Sequence, residues 1–272
     1  MFSKKVIEFA KIVVKIFILR VLKLIVRFYL KKVTFRTFLK EVEGKSIWIC
    51  GSAPSATPPD YDVDFTIAVS GACIALEKKF NKKHDMVIFD ESTFDPSFQT
   101  LNKSKEHIIG KFSGSKIAGH VLLVNSNGSK SSKLLLNKSF GTEVTKLSTF
   151  LRAFIVNDVA GTLYLDNVTT SKFTQVGTGA WVVSLAVFLG ARHIYVTGIN
   201  FRTGTKSKEY TLYNYGNVSG ISASESYIKS PIRNHAAPDA LVIAACALRF
   251  RSYCSIESNE LELAPLINKN LS

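Results

Sequence analysis

Acidic residues are scarce in this sequence: 21 Asp and Glu stand against 35 Lys and Arg, a formal charge of +14. Spread evenly, that excess would suggest a nucleic-acid partner. It is not spread evenly. Residues 1–40 hold eleven Lys or Arg and one Glu, so +10 of the total sits there and about +4 is left for the other 232 residues. No nucleic-acid partner is expected. Cysteine is scarce as well, with Cys50, Cys73, Cys246 and Cys254 in no C-x-x-C spacing and beside no His pair. That excludes a disulfide framework and argues against zinc, and buried reduced thiols are expected. A long apolar run is missing near the N-terminus, where the longest uncharged stretch in residues 4–32 is the four residues 16–19. A membrane span needs about 20 apolar residues and a secretory signal an unbroken apolar centre, so neither is expected. What the sequence does have is an apolar fraction of 46%, enough over 272 residues for one large α/β domain or two small ones.

Residues 4–32 carry a helical period. Lys4, Glu8, Lys11 and Lys15 make one polar stripe, and Arg20, Lys23, Arg27 and Lys31 make a second, rotated one that a bend near 16–19 would align. The rest of the surface is largely Val, Ile, Leu and Phe. Such a helix satisfies both faces by lying on an anionic membrane surface, the expected partner of residues 4–32. A helix packed on its own domain, with Lys and Arg reaching out to water, is the competing reading.

Beyond residue 44 short apolar runs alternate with helical patterns. Strands are expected at 46–51, 65–69, 86–90, 107–109, 121–124, 163–165, 193–197 and 253–256. Helices are expected at about 71–80, 146–156, 179–189 and 239–250. The alternation predicts βαβ units in a Rossmann-like, mostly parallel sheet with helices on both faces, preceded by the long amphipathic helix. Residues 125–141 read as a surface excursion. The stretch 202–232, rich in Gly, Ser and Tyr, reads as a lid. The expected organisation is a basic helix over 1–40 and one domain over 45–272.

Ligands of an open α/β sheet bind outside the carboxyl ends of its strands. Four such ends carry Gly or polar residues: Gly51-Ser-Ala-Pro-Ser55, Ser70-Gly71, Asp90-Glu91-Ser92 and Gly198-Ile-Asn-Phe-Arg202. Their concurrence points to a nucleotide cleft. Gln175-Val-Gly-Thr-Gly179 lacks the third glycine of a dinucleotide fingerprint, yet a Gly-rich helix start offers amides to an anion, or Thr178 is simply a cap. Among five histidines, His235 alone sits beside the expected lid. An imidazole there could take a proton from an attacking hydroxyl, or could be an ordinary solvated loop side chain.

Three blocks of the chain resemble the bacterial sialyltransferases of glycosyltransferase family 42. Ile47-Trp-Ile-Cys-Gly-Ser-Ala-Pro-Ser55 is similar to the family's opening strand and G-N-G-P-S turn. Gly177-Thr-Gly-Ala-Trp, running on through Tyr195-Val-Thr-Gly-Ile-Asn-Phe201, is similar to its T-S-G helix and Y-L-S-G-I-D-F strand. Tyr227-Ile228 with His235, then Tyr253-Cys254, Ser258 and Glu262-Leu-Ala-Pro265, follow its closing pattern. The likeness spans about residues 45–267.

The resemblance implies an enzyme that moves an anionic sugar, sialic acid first, from a CMP-sugar to a glycan or glycolipid acceptor, with inversion and with neither metal nor cofactor. It implies His235 as general base and Arg202 and Tyr210 as stabilisers of the departing phosphate. It implies donor contacts from Gly51, Ser52, Ser70, Asp90, Thr178, Gly179, Asn200, Phe201 and Ser258. Several of these depart from the family: Ser52, Ser70 and Asp90 replace asparagines, Arg202 replaces a tyrosine and Gln175 an arginine. An acidic Asp90 beside an anionic sugar is the awkward departure, and it keeps CMP-Kdo or another nucleotide sugar as an alternative. A non-catalytic nucleotide-binding membrane protein is a second alternative. The helix implies a peripheral place on the cytoplasmic face of the inner membrane, suited to lipooligosaccharide or capsule acceptors. A homo-oligomer is left open.

Overall fold

Runs such as Ile47-Trp-Ile and Val87-Ile-Phe leave no polar side for water, so their strands must be covered on both faces. The computed structural model describes residues 4–51, 53, 55–90, 119–124, 144–160, 177–199, 236–260 and 263–268. Helix α1 (Lys4–Tyr29) continues through a π-helical turn (Leu30–Thr34) into α2 (Arg36–Val42). There follow β1 (Ser46–Cys50), β2 (Phe65–Val69), α3 (Ala72–Phe80), β3 (Met86–Asp90), β4 (His120–Val124), β5 (Val144–Leu147) and α4 (Thr149–Ala160). The chain ends with α5 (Thr178–Leu189), β6 (His193–Thr197), α6 (Ala236–Phe250), β7 (Ser255–Ser258) and the short α7 (Ala264–Asn268).

The strands form one sheet in the order β5-β4-β3-β2-β1-β6-β7, and every described pair is parallel. Alternation of side chains divides the core. Ile47, Ile49, Ile67, Met86 and Ile88 face the larger cluster, while Trp48, Cys50, Ala68, Val87 and Phe89 face the smaller one. Helix α3 covers the smaller side through Ala72, Cys73 and Leu76. Helix α5 lies at the centre of the larger side, with every residue from Ala180 to Leu189 buried, flanked by α4 and α6. The expected class, a Rossmann-like parallel α/β sheet with helices on both faces and a long helix in front, is the observed one. All four cysteines are free and buried.

Several boundaries differ from expectation. Residues 144–147 form β5, not the start of a helix, because Ser148 begins the next helix by accepting the amides of Leu151 and Arg152. Strand β7 starts two residues later than expected, since the amides of Tyr253 and Cys254 still bond to Phe250 O as the end of α6. Helix α6 begins at Ala236, three residues early. Helix α1 runs unbroken through residues 16–19. The expected strands at 107–109 and 163–165, the excursion at 125–141 and the lid at 202–232 lie outside the described residues.

Candidate functional site

From β1 the chain steps outward through β2, β3, β4 and β5, then returns to place β6 on the other flank of β1. The carboxyl ends of β1 and β6 therefore bracket the point where the strand order reverses, the position at which such sheets form a ligand crevice. There the two backbones nearly touch. Gly51 N–H donates to Thr197 O at 2.7 Å and Ala53 N–H to Gly198 O at 2.9 Å. A Cβ on Gly51 would overlap the Gly198 carbonyl, and one on Gly198, at φ +69, would meet Gly51 O and Ala56. These glycines serve strand apposition. The Gly51 amide is therefore committed within the protein, to the carbonyl of Thr197.

A carboxylate closes this junction from the C-terminal side. Glu260 is 5% exposed, accepts the Ser55 hydroxyl at 3.0 Å on each oxygen, and also accepts the Gly198 amide. Ser258 orients it, because its hydroxyl accepts the Glu260 amide at 3.1 Å while donating to Val196 O at 2.8 Å. Trp48 Nε1 donates to Thr197 Oγ1, which in turn donates to Thr57 O, both at 3.0 Å. The turn after β1 is thus tied to β6 and to the segment after β7.

A second charged group lies further along the same edge. Asp90, the last residue of β3, receives Arg152 Nη1 of α4 at 3.0 Å. Burial disfavours charge on Arg152 and lowers its pKa, while Asp90 and Asp239 counter that shift. Asp239, in the first turn of α6, accepts the Gly177 amide at 2.7 Å. Burial raises its carboxyl to about 7, against the opposing pull of that amide and of Arg152. Gly177 has no room for a Cβ against the Asp239 carboxylate, and Gly179 none against Ile199. Asp239 therefore joins the starts of α5 and α6 to each other, and Arg152 links that junction to the end of β3.

Gly51, Ser70, Asp90, Thr178, Gly179 and Ser258 all lie at strand carboxyl ends or at the helix start beside them. Ser70 holds a left-handed φ of +51 with its amide on Ile88 O at 2.9 Å. Thr178 is not the cap. Gly177 is the N-cap, with no side-chain bond of its own, and the Asp239 carboxylate supplies the acceptor there. Ser52, Asn200, Phe201, Arg202, Tyr210 and His235 lie outside the described residues. His84, His120 and His193 stand at or beside strand starts, at the opposite edge. Among the described residues no group of three His, Cys, Asp or Glu could hold a metal ion.

Three charged residues of this edge, Arg152, Asp239 and Glu260, were not singled out from the sequence. Arg152 had one visible signal, a lone cation in the apolar run of α4. Asp239 read only as a helix start, and Glu260 carried no signal of its own.

No family model matches the chain, and no curated protein is similar to it. Among solved structures it is similar to the monofunctional α-2,3-sialyltransferase Cst-I of Campylobacter jejuni, at 17% identity and a TM-score of 0.48, over 83% of this chain and 82% of that one. It is also similar to the sialyltransferase CstII of Campylobacter jejuni in complex with the substrate analogue CMP-3FNeuAc, at 17% identity and a TM-score of 0.43, over 82% and 87%. Both are sialyltransferases, the class that the three sequence blocks resemble. Likeness of this degree says nothing about individual residues or chemistry.

Proposed function

We propose that the chain is a glycosyltransferase that moves sialic acid from CMP-sialic acid to a cell-surface glycan by metal-independent, inverting displacement. The observation that carries this reading is the reversal of strand order, where the ends of β1 and β6 meet beside the glycine-bounded start of α5. A strand-order reversal with its strand ends tied together is the position at which open α/β sheets receive a nucleotide.

The Asp90–Arg152 pair bears on the choice of sugar. A bare carboxylate would repel an anionic donor, whereas a paired one adds little net field. A paired Asp90 is compatible with an anionic donor, and sialic acid and Kdo both carry a carboxylate.

In the proposed mechanism His235 takes the proton from the acceptor hydroxyl as that oxygen attacks the anomeric carbon. The bond to CMP breaks on the opposite side, and Arg202 and Tyr210 receive the charge that develops on the departing phosphate. The peptide bond from His235 leads into Ala236, the first residue of α6, whose opening turn Asp239 fastens to Gly177.

The test pairs binding with turnover. Calorimetry should detect CMP, and transfer should be faster from CMP-sialic acid than from CMP-Kdo. His235→Ala should lower the rate by on the order of 10²–10⁴ with CMP affinity retained. Near-normal turnover in that variant would remove the base assignment. CMP binding without transfer to any acceptor would instead identify a nucleotide-binding protein without catalysis.

A further inference from the structure

Helix α1 presents an apolar surface that nothing in the described structure covers. Phe17, Leu24 and Phe28 are 66%, 65% and 63% exposed, and Ile7, Val14, Val21 and Ile25 are exposed beside them. At about 100° per residue, positions 7, 13, 14, 17, 18, 21, 24, 25 and 28 share an arc of roughly 140° that contains no charged position. The charged positions of α1, seven basic and one acidic, fall on the remaining circumference. The two stripes therefore need no bend to cooperate, because both flank the same apolar arc. No described helix is long and apolar enough to cross a membrane.

Among the described residues, the helix is held at its C-terminal end. Arg27 Nε pairs with the buried Asp158 of α4 at 3.3 Å, and its guanidinium lies 5.8 Å from the centre of the Phe188 ring of α5. Lys31 reaches Glu43 at 3.3 Å. Leu30, Phe35, Phe38 and Val42 then carry the chain into the core. A 26-residue helix, about 39 Å long, is thus fixed at one end to α4 and α5.

We infer that α1 docks the protein onto an anionic lipid leaflet, lying in the plane of the surface with the arc around Phe17, Val21 and Phe28 in the acyl boundary and Lys11, Lys15 and Arg20 among the headgroups. Charge complementarity decides for lipid over a second copy of the chain. Two copies of α1 laid face to face would bury their apolar arcs but bring two strongly basic helices together, whereas an anionic leaflet satisfies both faces at once. The inference does not depend on the transferase reading, since lipid binding is measured without turnover.

The experiment is sedimentation of the full chain with phosphatidylglycerol-containing vesicles and with pure phosphatidylcholine vesicles, at low and high salt. The wild type should sediment with the anionic vesicles at low salt, at least ~10-fold more tightly than with the neutral ones, and be released by salt. The triple variant Val14→Glu, Phe17→Glu, Val21→Glu should lose ~10-fold or more in vesicle affinity. The triple variant Lys11→Glu, Lys15→Glu, Arg20→Glu should lose the preference for anionic lipid. Both should keep the wild-type melting temperature, because the substituted side chains are exposed. Equal binding to the two vesicle types, or undiminished binding by the apolar-arc variant, would overturn the inference. So would a wild-type oligomer that the apolar-arc variant dissociates while neither protein binds vesicles; that result would assign α1 to self-association.

Discussion

At the residue scale, Asp239 is the group whose protonation the fold alters most plainly near neutral pH. Its carboxyl is raised from 3.8 to about 7 by burial. Below about pH 4 the folded and unfolded chains both hold this proton. Between about 4 and 7 the unfolded chain releases it and the folded chain keeps it, so folding stability falls as pH rises through that window and levels off above it. Asp239→Asn keeps an acceptor for the Gly177 amide and removes the titration. Urea denaturation at pH 5 and pH 8 should show a smaller loss for the variant than for the wild type, by an amount on the order of a few kcal/mol. An unchanged pH dependence would mean that Asp239 ionises freely in the folded protein. The Asp90–Arg152 pair makes a different prediction. Arg152→Met removes the cation beside a partly buried carboxylate and should destabilise by about 3–5 kcal/mol, whereas Asp90→Asn combined with Arg152→Met should recover much of that loss. Equal losses in the single and double variants would show that the pair is not coupled.

At the scale of elements, the junction of β1 and β6 rests on two glycines. Gly198→Ala places a side chain at φ +69, at a cost of about 1–2 kcal/mol, before its overlap with Gly51 O and Ala56 is counted. The loss measured by thermal unfolding should therefore exceed about 2 kcal/mol, and a neutral variant would contradict the close approach. This junction was half legible in the sequence. Strands β1, β2, β3 and β6 could be bounded closely because burial on both faces leaves an unbroken apolar run ending at Gly or a polar residue. Strand β5 could not, because Val144-Thr-Lys-Leu147 lies at the sheet edge, places two polar residues between two apolar ones and runs straight into a helix. The charged groups of the site were less legible still. Arg152 meets Asp90, and Gly177 meets Asp239, each across 62 residues, and Glu260 finds Ser55 across 205. Neither period nor local composition records such pairings. They follow from the parallel strand order, which brings every carboxyl end to one edge.

At the scale of the whole molecule, the proposed function gives the domain the chemistry and the inferred lipid docking gives α1 the location. The described side chains from Ile7 to Ile25 in α1 are exposed, while Val26, Arg27 and Leu30 engage the domain. Removal of residues 1–25 should therefore leave the unfolding free energy within about 0.5 kcal/mol of the full chain. It should also leave the rate on a soluble glycan acceptor unchanged, because no described residue of that segment reaches the strand carboxyl ends. An acceptor carried on an anionic bilayer poses a different problem. Under the inferred docking through α1, the encounter becomes a search over a surface, which raises the effective concentration of enzyme and acceptor without any new contact at the strand ends. Loss of α1 should then lower kcat/KM for the bilayer-borne acceptor by ~10²-fold, and added salt should lower it for the full chain but not for the shortened one. Equal losses on the soluble and bilayer-borne acceptors would place α1 in the catalytic domain's own architecture instead, since a helix that only sets location cannot change a reaction that takes place in solution.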